Sequence, residues 1–208
     1  MHKESNAVAA GPCETDGGQA ARELLREYMF VVACPCGVTE PASVDGERFR
    51  EALVDACGGS PEPLLKALRI GMVRGMVAIA GCDGDATGHD ALVAALAREL
   101  IGQDILVLVA GRAGAAVEAA GLCEAAGAEL ASTGLADFCG HMDLGPVLVV
   151  AQDGDDARAL APAAADTGLG AAVASPSPAD LAADVSRRIT TGRLALGLND
   201  RYDGTVYS

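Results

Sequence analysis

The chain has 208 residues, with 29 acidic against 15 basic side chains and a net charge of −14, which excludes the clustered cations that nucleic acid or an anionic membrane surface requires. Half of the residues are hydrophobic, only 3% are aromatic and none is tryptophan, a composition suited to closely packed helices on a sheet more than to a β-sandwich. No apolar run reaches the roughly 20 residues of a membrane span, and His2-Lys3-Glu4-Ser5-Asn6 lacks the pattern of a secretory signal, so a cytoplasmic location is expected. In that setting seven cysteines, an odd number, read as reduced thiols.

Residues 1–17 are small, polar and Gly-rich, and are expected to be flexible. A single domain is expected over 18–198, followed by a polar tail over 199–208. Helical spacing over Gln19 to Tyr28 gives way to Met29-Phe30-Val31-Val32-Ala33, a first strand broken by Cys34-Pro35-Cys36-Gly37. Phe49, Leu53 and Val54 recur at helical spacing between Asp45 and Ala56, and Cys57-Gly58-Gly59 stops that helix. A short helix over Pro61 to Ile70 carries proline in its first turn, where a missing N–H is tolerated.

The run Met76-Val77-Ala78-Ile79-Ala80 is a strand of the fully buried type that enters Gly81-Cys82-Asp83-Gly84-Asp85. A helix from Asp90 to Ile101, capped by Thr87 or Asp83, precedes a strand over Asp104 to Val109. Ala113 to Ala126 reads as a helix, Val147 to Ala151 as a strand and Asp155 to Asp166 as a helix. A strand over Gly170 to Ala174 and a helix over Ala179 to Ile189, opened by Ser177-Pro178, complete the pattern. This alternation predicts an α/β fold, a three-layer Rossmann-like parallel sheet with helices on both faces. Right-handed crossovers then bring Cys82, Arg112 and Asp153 to one edge, the carboxyl ends of the strands, where such sheets bind ligands.

Gly81-Cys82-Asp83-Gly84 resembles the turn with which nickel-iron carbon monoxide dehydrogenases and hybrid cluster proteins, the prismanes, supply a cluster thiolate. The resemblance spans Ser43 to Arg158. It includes Ala56-Cys57-Gly58-Gly59, Pro63-Leu64-Leu65-Lys66-Ala67 and Val73-Arg74-Gly75 before the cysteine. After it come Ala97-Arg98-Glu99-Leu100-Ile101, Asp104-Ile105-Leu106-Val107-Leu108, Ala110-Gly111 and Ala119-Ala120-Gly121-Leu122. It implies oxidoreduction of carbon monoxide or a nitrogen oxide species at a nickel-iron or iron-sulfur centre. Two further cysteines of the family's set are replaced here, one by Arg112 and one by Asp153. A guanidinium is no metal ligand, and an isolated carboxylate suits harder ions than a sulfide cluster.

Three readings of the site follow. In the first, the chain is a degenerate or partner-dependent member of this family, an accessory to a redox enzyme or a homo-oligomer, in which an Arg112–Asp153 salt bridge ties the loops the cluster would have joined. In the second, Cys34, Cys36 and Cys82 form a rebuilt metal or redox site, with His89 or Asp153 as fourth ligand. In the third, Gly111-Arg112-Ala113-Gly114 docks a small anion at the strand ends, although neither a dinucleotide fingerprint nor a P-loop is present. Asp153-Gly154-Asp155-Asp156 reads as an acidic first helical turn. His89 and His141 read as solvated loop residues, and Cys57, Cys123 and Cys139 as small apolar packing.

Overall fold

A computed structural model describes residues 28–33, 53–80, 88–151, 177–198 and 202. Four strands, β1 (Met29–Ala33), β2 (Gly75–Ala80), β3 (Ile105–Ala110) and β4 (Val147–Ala151), form one parallel sheet in the order β1-β2-β3-β4. Five helices accompany them: α1 (Glu62–Ile70), α2 (His89–Ile101), α3 (Arg112–Ala119), α4 (Thr133–Met142) and α5 (Pro178–Ala195). Residues 53–56 are also helical, as expected for the end of the helix closed by Cys57-Gly58-Gly59. The expected elements over 19–27, 155–166 and 170–174 lie outside the described residues.

Both faces of the sheet are covered, as the unbroken apolar strands foretold. All six residues of β3 are buried, and successive strand side chains point to opposite faces. Register groups Phe30, Val77, Val107 and Val147 on one face with Val32, Ile79, Val109 and Val149. On this face Gly75 leaves room for the Ile189 side chain of α5, and Gly114 of α3 lies against Val149. Helix α2 packs between α3 and α5, completing the layer. Met76, Leu106, Leu108 and Leu148 point the other way and are buried too, so a second layer closes the opposite face.

Helix ends follow local chemistry in most places. Gly71, at φ 82°, closes α1 by donating its N–H to Leu68 O, and Ser177 Oγ accepts from Asp180 N to cap α5. Helix α2 departs from expectation, because its N-cap is Gly88 with no side-chain cap bond in place of Thr87 or Asp83. The helix expected over 113–126 stops at Ala119. Gly121, at φ 69°, turns the chain so that its N–H reaches Glu118 O and the Leu122 N–H reaches Val117 O, a closure that ends a helix. A 3-10 helix, Ala125–Leu130, follows.

Helix α4 corrects the reading of His141 as a loop residue. Leu135, Phe138, Cys139 and Met142 recur at helical spacing, and the first three are buried. The helix starts without a cap of its own. Asp104, at φ 60° just before β3, reaches across instead: its carboxylate accepts from Ser132 N at 3.1 Å, from Leu135 N at 3.4 Å and from Ser132 Oγ. A cap supplied from the start of another strand is invisible to a local pattern.

Candidate functional site at the carboxyl edge of the sheet

The strands end together. Ala33 pairs with Ala80, Ile79 with Val109 and Ala110 with Ala151, so β1 to β4 deliver the chain to one edge. Of the predicted site residues, Arg112 and the alternative fourth ligand His89 lie within the described residues; Cys34, Cys36, Cys82 and Asp153 follow the ends of β1, β2 and β4 in sequence and lie outside them. The expected Arg112–Asp153 bridge thus lies outside the described residues.

Arg112 is the first residue of α3. Gly111, at φ 60° and ψ −132°, turns β3 into the helix, a backbone setting that a Cβ would strain. The Arg112 side chain is 39% exposed, and its Nε lies 3.6 Å from Oδ1 of Asp90, on the first turn of the neighbouring helix α2. The same Asp90 oxygen is 2.8 Å from Nδ1 of His89. The hydrogen bond from His89, with the Arg112 charge adding to it, holds the Asp90 carboxyl below the usual carboxylate range.

His89 corrects the expectation of a solvated loop histidine. It is the first residue of α2, its side chain is fully buried, and its Nε2 has no hydrogen-bond partner among the described residues. Asp90, an acceptor in its ionised form, places a ring hydrogen on Nδ1. The sequence signal for this arrangement was an adjacent His-Asp pair immediately after a strand and turn; what it could not give was the burial. His141, by contrast, is exposed on α4, where Nδ1 donates to Asp137 O at 3.0 Å. Cys57 and Cys139 are buried as expected and Cys123 half-buried, and burial pushes each thiol up to about 11.

Among the described residues no three His, Cys, Asp or Glu side chains come together in a way that could hold a metal ion. At the one described position of the expected thiolate set, the side chain is a permanent cation engaged with a carboxylate. A guanidinium offers no lone pair to a nickel-iron or iron-sulfur cluster, which takes sulfur or imidazole ligands.

A parallel sheet covered on both faces by helices defines the molecule as an α/β domain of the Rossmann-like class. The chain belongs to the Prismane/CO dehydrogenase family, whose family model matches residues 6–166. It is 40% identical over 99 residues to a carbon monoxide dehydrogenase of Methanocaldococcus jannaschii, a stretch that covers 47% of this chain and 16% of that protein. It is 36% identical over 115 residues to carbon monoxide dehydrogenase 1 of Methanosarcina acetivorans, covering 55% and 18% respectively. The chain thus matches less than a fifth of the length of these relatives. Among solved structures it resembles a nickel-free, as-isolated carbon monoxide dehydrogenase from Thermococcus sp. AM4, with TM-score 0.58 and 25% identity over 72% of this chain and 34% of that one. Carbon monoxide dehydrogenase IV from Carboxydothermus hydrogenoformans shares the fold at TM-score 0.55 and 22% identity, over 71% and 35%.

Proposed function

We propose that this chain is a carbon monoxide dehydrogenase-like domain that assembles no nickel-iron cluster by itself, and that acts as a degenerate or partner-dependent accessory in a redox assembly. The observation that carries this reading is the Arg112–Asp90 ion pair at the carboxyl end of β3. Where the resemblance expects a thiolate, a cation is held in place by a carboxylate of the neighbouring helix. An oxidoreductase activity toward carbon monoxide or a nitrogen oxide species would then require ligands from another polypeptide. The docking of a small anion on Arg112 is disfavoured by the same geometry, because Asp90 already offers the guanidinium a negative partner.

The reading is tested by iron, nickel and acid-labile sulfide content, with a visible spectrum, on full-length protein purified without oxygen, alongside Cys82→Ala. A colourless chain without sulfide is the expected result. Several irons and sulfides per chain, lost in the variant, would overturn it.

A second reading keeps a rebuilt site in which Cys34, Cys36 and Cys82 are the donors, holding a metal or a redox centre of its own. It is favoured by the register of β1 and β2, whose final residues Ala33 and Ala80 are partners across the sheet. Cys34 and Cys82 follow those ends in sequence. Three thiolates and a nitrogen form a closed zinc site, whereas a lone Cys-x-Cys does not.

A further inference from the structure

Three large apolar side chains stand in solvent among the described residues: Leu130, Leu194 and Leu196. Single exposed leucines are ordinary on a protein surface. These three border one edge of the sheet, the amino end, opposite the candidate site. Leu194, 64% exposed, and Leu196, 52% exposed, end α5, whose Arg193 donates to Arg74 O at the start of β2. Leu130 closes the 3-10 helix, with its carbonyl beside Gly102 and with Ser132 after it bonded to Asp104 just before β3. The end of α5 is locked and not frayed. Gly197, at φ 70°, donates to Leu194 O and Leu198 N donates to Arg193 O, a glycine closure that holds the two leucines in place.

The two apolar spots carry opposite charge. Arg187, Thr191 and Leu194 share one stripe of α5 at helical spacing. Arg187, 71% exposed, and Arg188 share the single carboxylate of Asp184 at 2.8 and 2.9 Å, which leaves one positive charge in excess. Around Leu130, Glu129 and Glu124 are exposed and form no ion pair among the described residues. Cys123 O and Glu124 N crowd Gly145, just before β4. The acidic spot therefore lies at the β3–β4 side of the edge and the basic spot at the β2 side.

We propose that the amino edge is the face on which a second copy of this chain docks, related by a two-fold axis through the middle of the edge. Such an axis reverses the edge, so the basic end of α5 in each copy meets the acidic surroundings of Leu130 in the other, and the apolar spots of both copies are covered. A net charge of −14 on each copy resists contact between acidic faces, whereas the excess positive charge beside Leu194 supplies an attraction here. The inference names one partner for the partner-dependent reading above. It does not depend on metal content, so either can fail alone.

The experiment is sedimentation equilibrium of the full-length protein over a concentration series, in a thiol reductant so that no disulfide joins the copies, with circular dichroism as the check on folding. Wild type is expected to dimerise. Leu194→Asp combined with Leu196→Asp should weaken the dimer by more than about 100-fold, since each loss counts twice in a two-fold contact. Arg187→Glu and Glu129→Lys should each weaken it by about 10-fold, and the two together should recover most of the affinity. If the leucine variant fails to fold, the charge pair decides. A wild type that stays monomeric at its highest soluble concentration overturns the inference. So does a dimer that the leucine variant leaves intact, or a pair of charge reversals that fails to compensate.

Discussion

The two ends of the sheet are built in opposite ways. At the amino end, Arg74 precedes β2, is 5% exposed, and donates from Nη1 to Gln103 O at 3.2 Å and to Ser186 Oγ at 3.1 Å, and from Nη2 to Thr190 Oγ1. Arg193, equally buried, donates to Arg74 O at 3.2 Å, and Asp104 O accepts from Arg74 N at 2.9 Å while the Asp104 carboxylate caps α4. Two buried cations thus fasten α5 to the start of β2. At the carboxyl end the Arg112–Asp90 pair is part-exposed, and the adjoining His89 Nε2 has no partner among the described residues. One end ties elements together through buried charges; the other carries a part-exposed ion pair beside a buried histidine, at the edge where open parallel sheets bind ligands.

That contrast breaks first at Arg74. Arg74→Ala deletes a buried guanidinium with its hydrogen bonds to Gln103 O, Ser186 Oγ and Thr190 Oγ1, so equilibrium urea unfolding should show a loss of about 3 kcal/mol or more. A loss under about 1 kcal/mol would mean that the amino end is no stronger than an ordinary surface. Asp104→Ala should cost about 1–2 kcal/mol through the lost cap of α4, read in the same way.

The interior thiols sharpen the comparison in a smaller way. Cys57 and Cys139 are held up at about 11 by burial, against 9.0 for a free thiol. Unfolded thiols therefore lose their protons first, and the stabilising contribution, complete below 9, fades as pH rises toward 11. The melting temperature should fall across that interval, less so in Cys57→Ala corrected for its own cavity. A thiol reagent should find Cys57 and Cys139 inert in the native state near neutral pH.

The smallest effect belongs to the carboxyl end. Arg112→Ala should leave the melting temperature near neutral pH unchanged within error, because an exposed pair contributes little. The Asp90 carboxyl lies below its ordinary value in the folded chain, so whatever the pair contributes is present above the usual carboxylate range and lost as pH falls through it. A clear destabilisation by Arg112→Ala would show that this edge too has been converted to cohesion, and would favour a purely structural role for the ion pair.

Much of the sheet was legible in the residues. Unbroken Val, Ile and Leu runs between glycine turns give β2, β3 and β4, and burial on both faces follows because a one-sided strand would alternate. Helix α5 was announced by Ser177-Pro178 and ran further than the apolar pattern to Ile189, to Ala195. Helix α4 was missed although Leu135, Phe138, Cys139 and Met142 have helical spacing, because Gly134 and Gly140 suggest a loop and its cap comes from Asp104. At the site, the sequence pointed to Arg112 as the residue that interrupts a cluster. It named Asp153, which lies outside the described residues, as a partner; within them Asp90 is a carboxylate set beside it.

The sequence by itself determined the class of fold, the family and the edge where the strands end, because periodicity and turn chemistry are local and act wherever the chain is read. Only the tertiary structure decided which charges meet and which nitrogen is left over. Asp104 meets α4, Arg74 meets α5 and Asp90 meets Arg112 across wide gaps in sequence, and the burial of His89 follows from the packing of α2 against the sheet and its neighbouring helices. Such pairings depend on how elements are placed in space, and a residue's own neighbours in the chain carry no record of them.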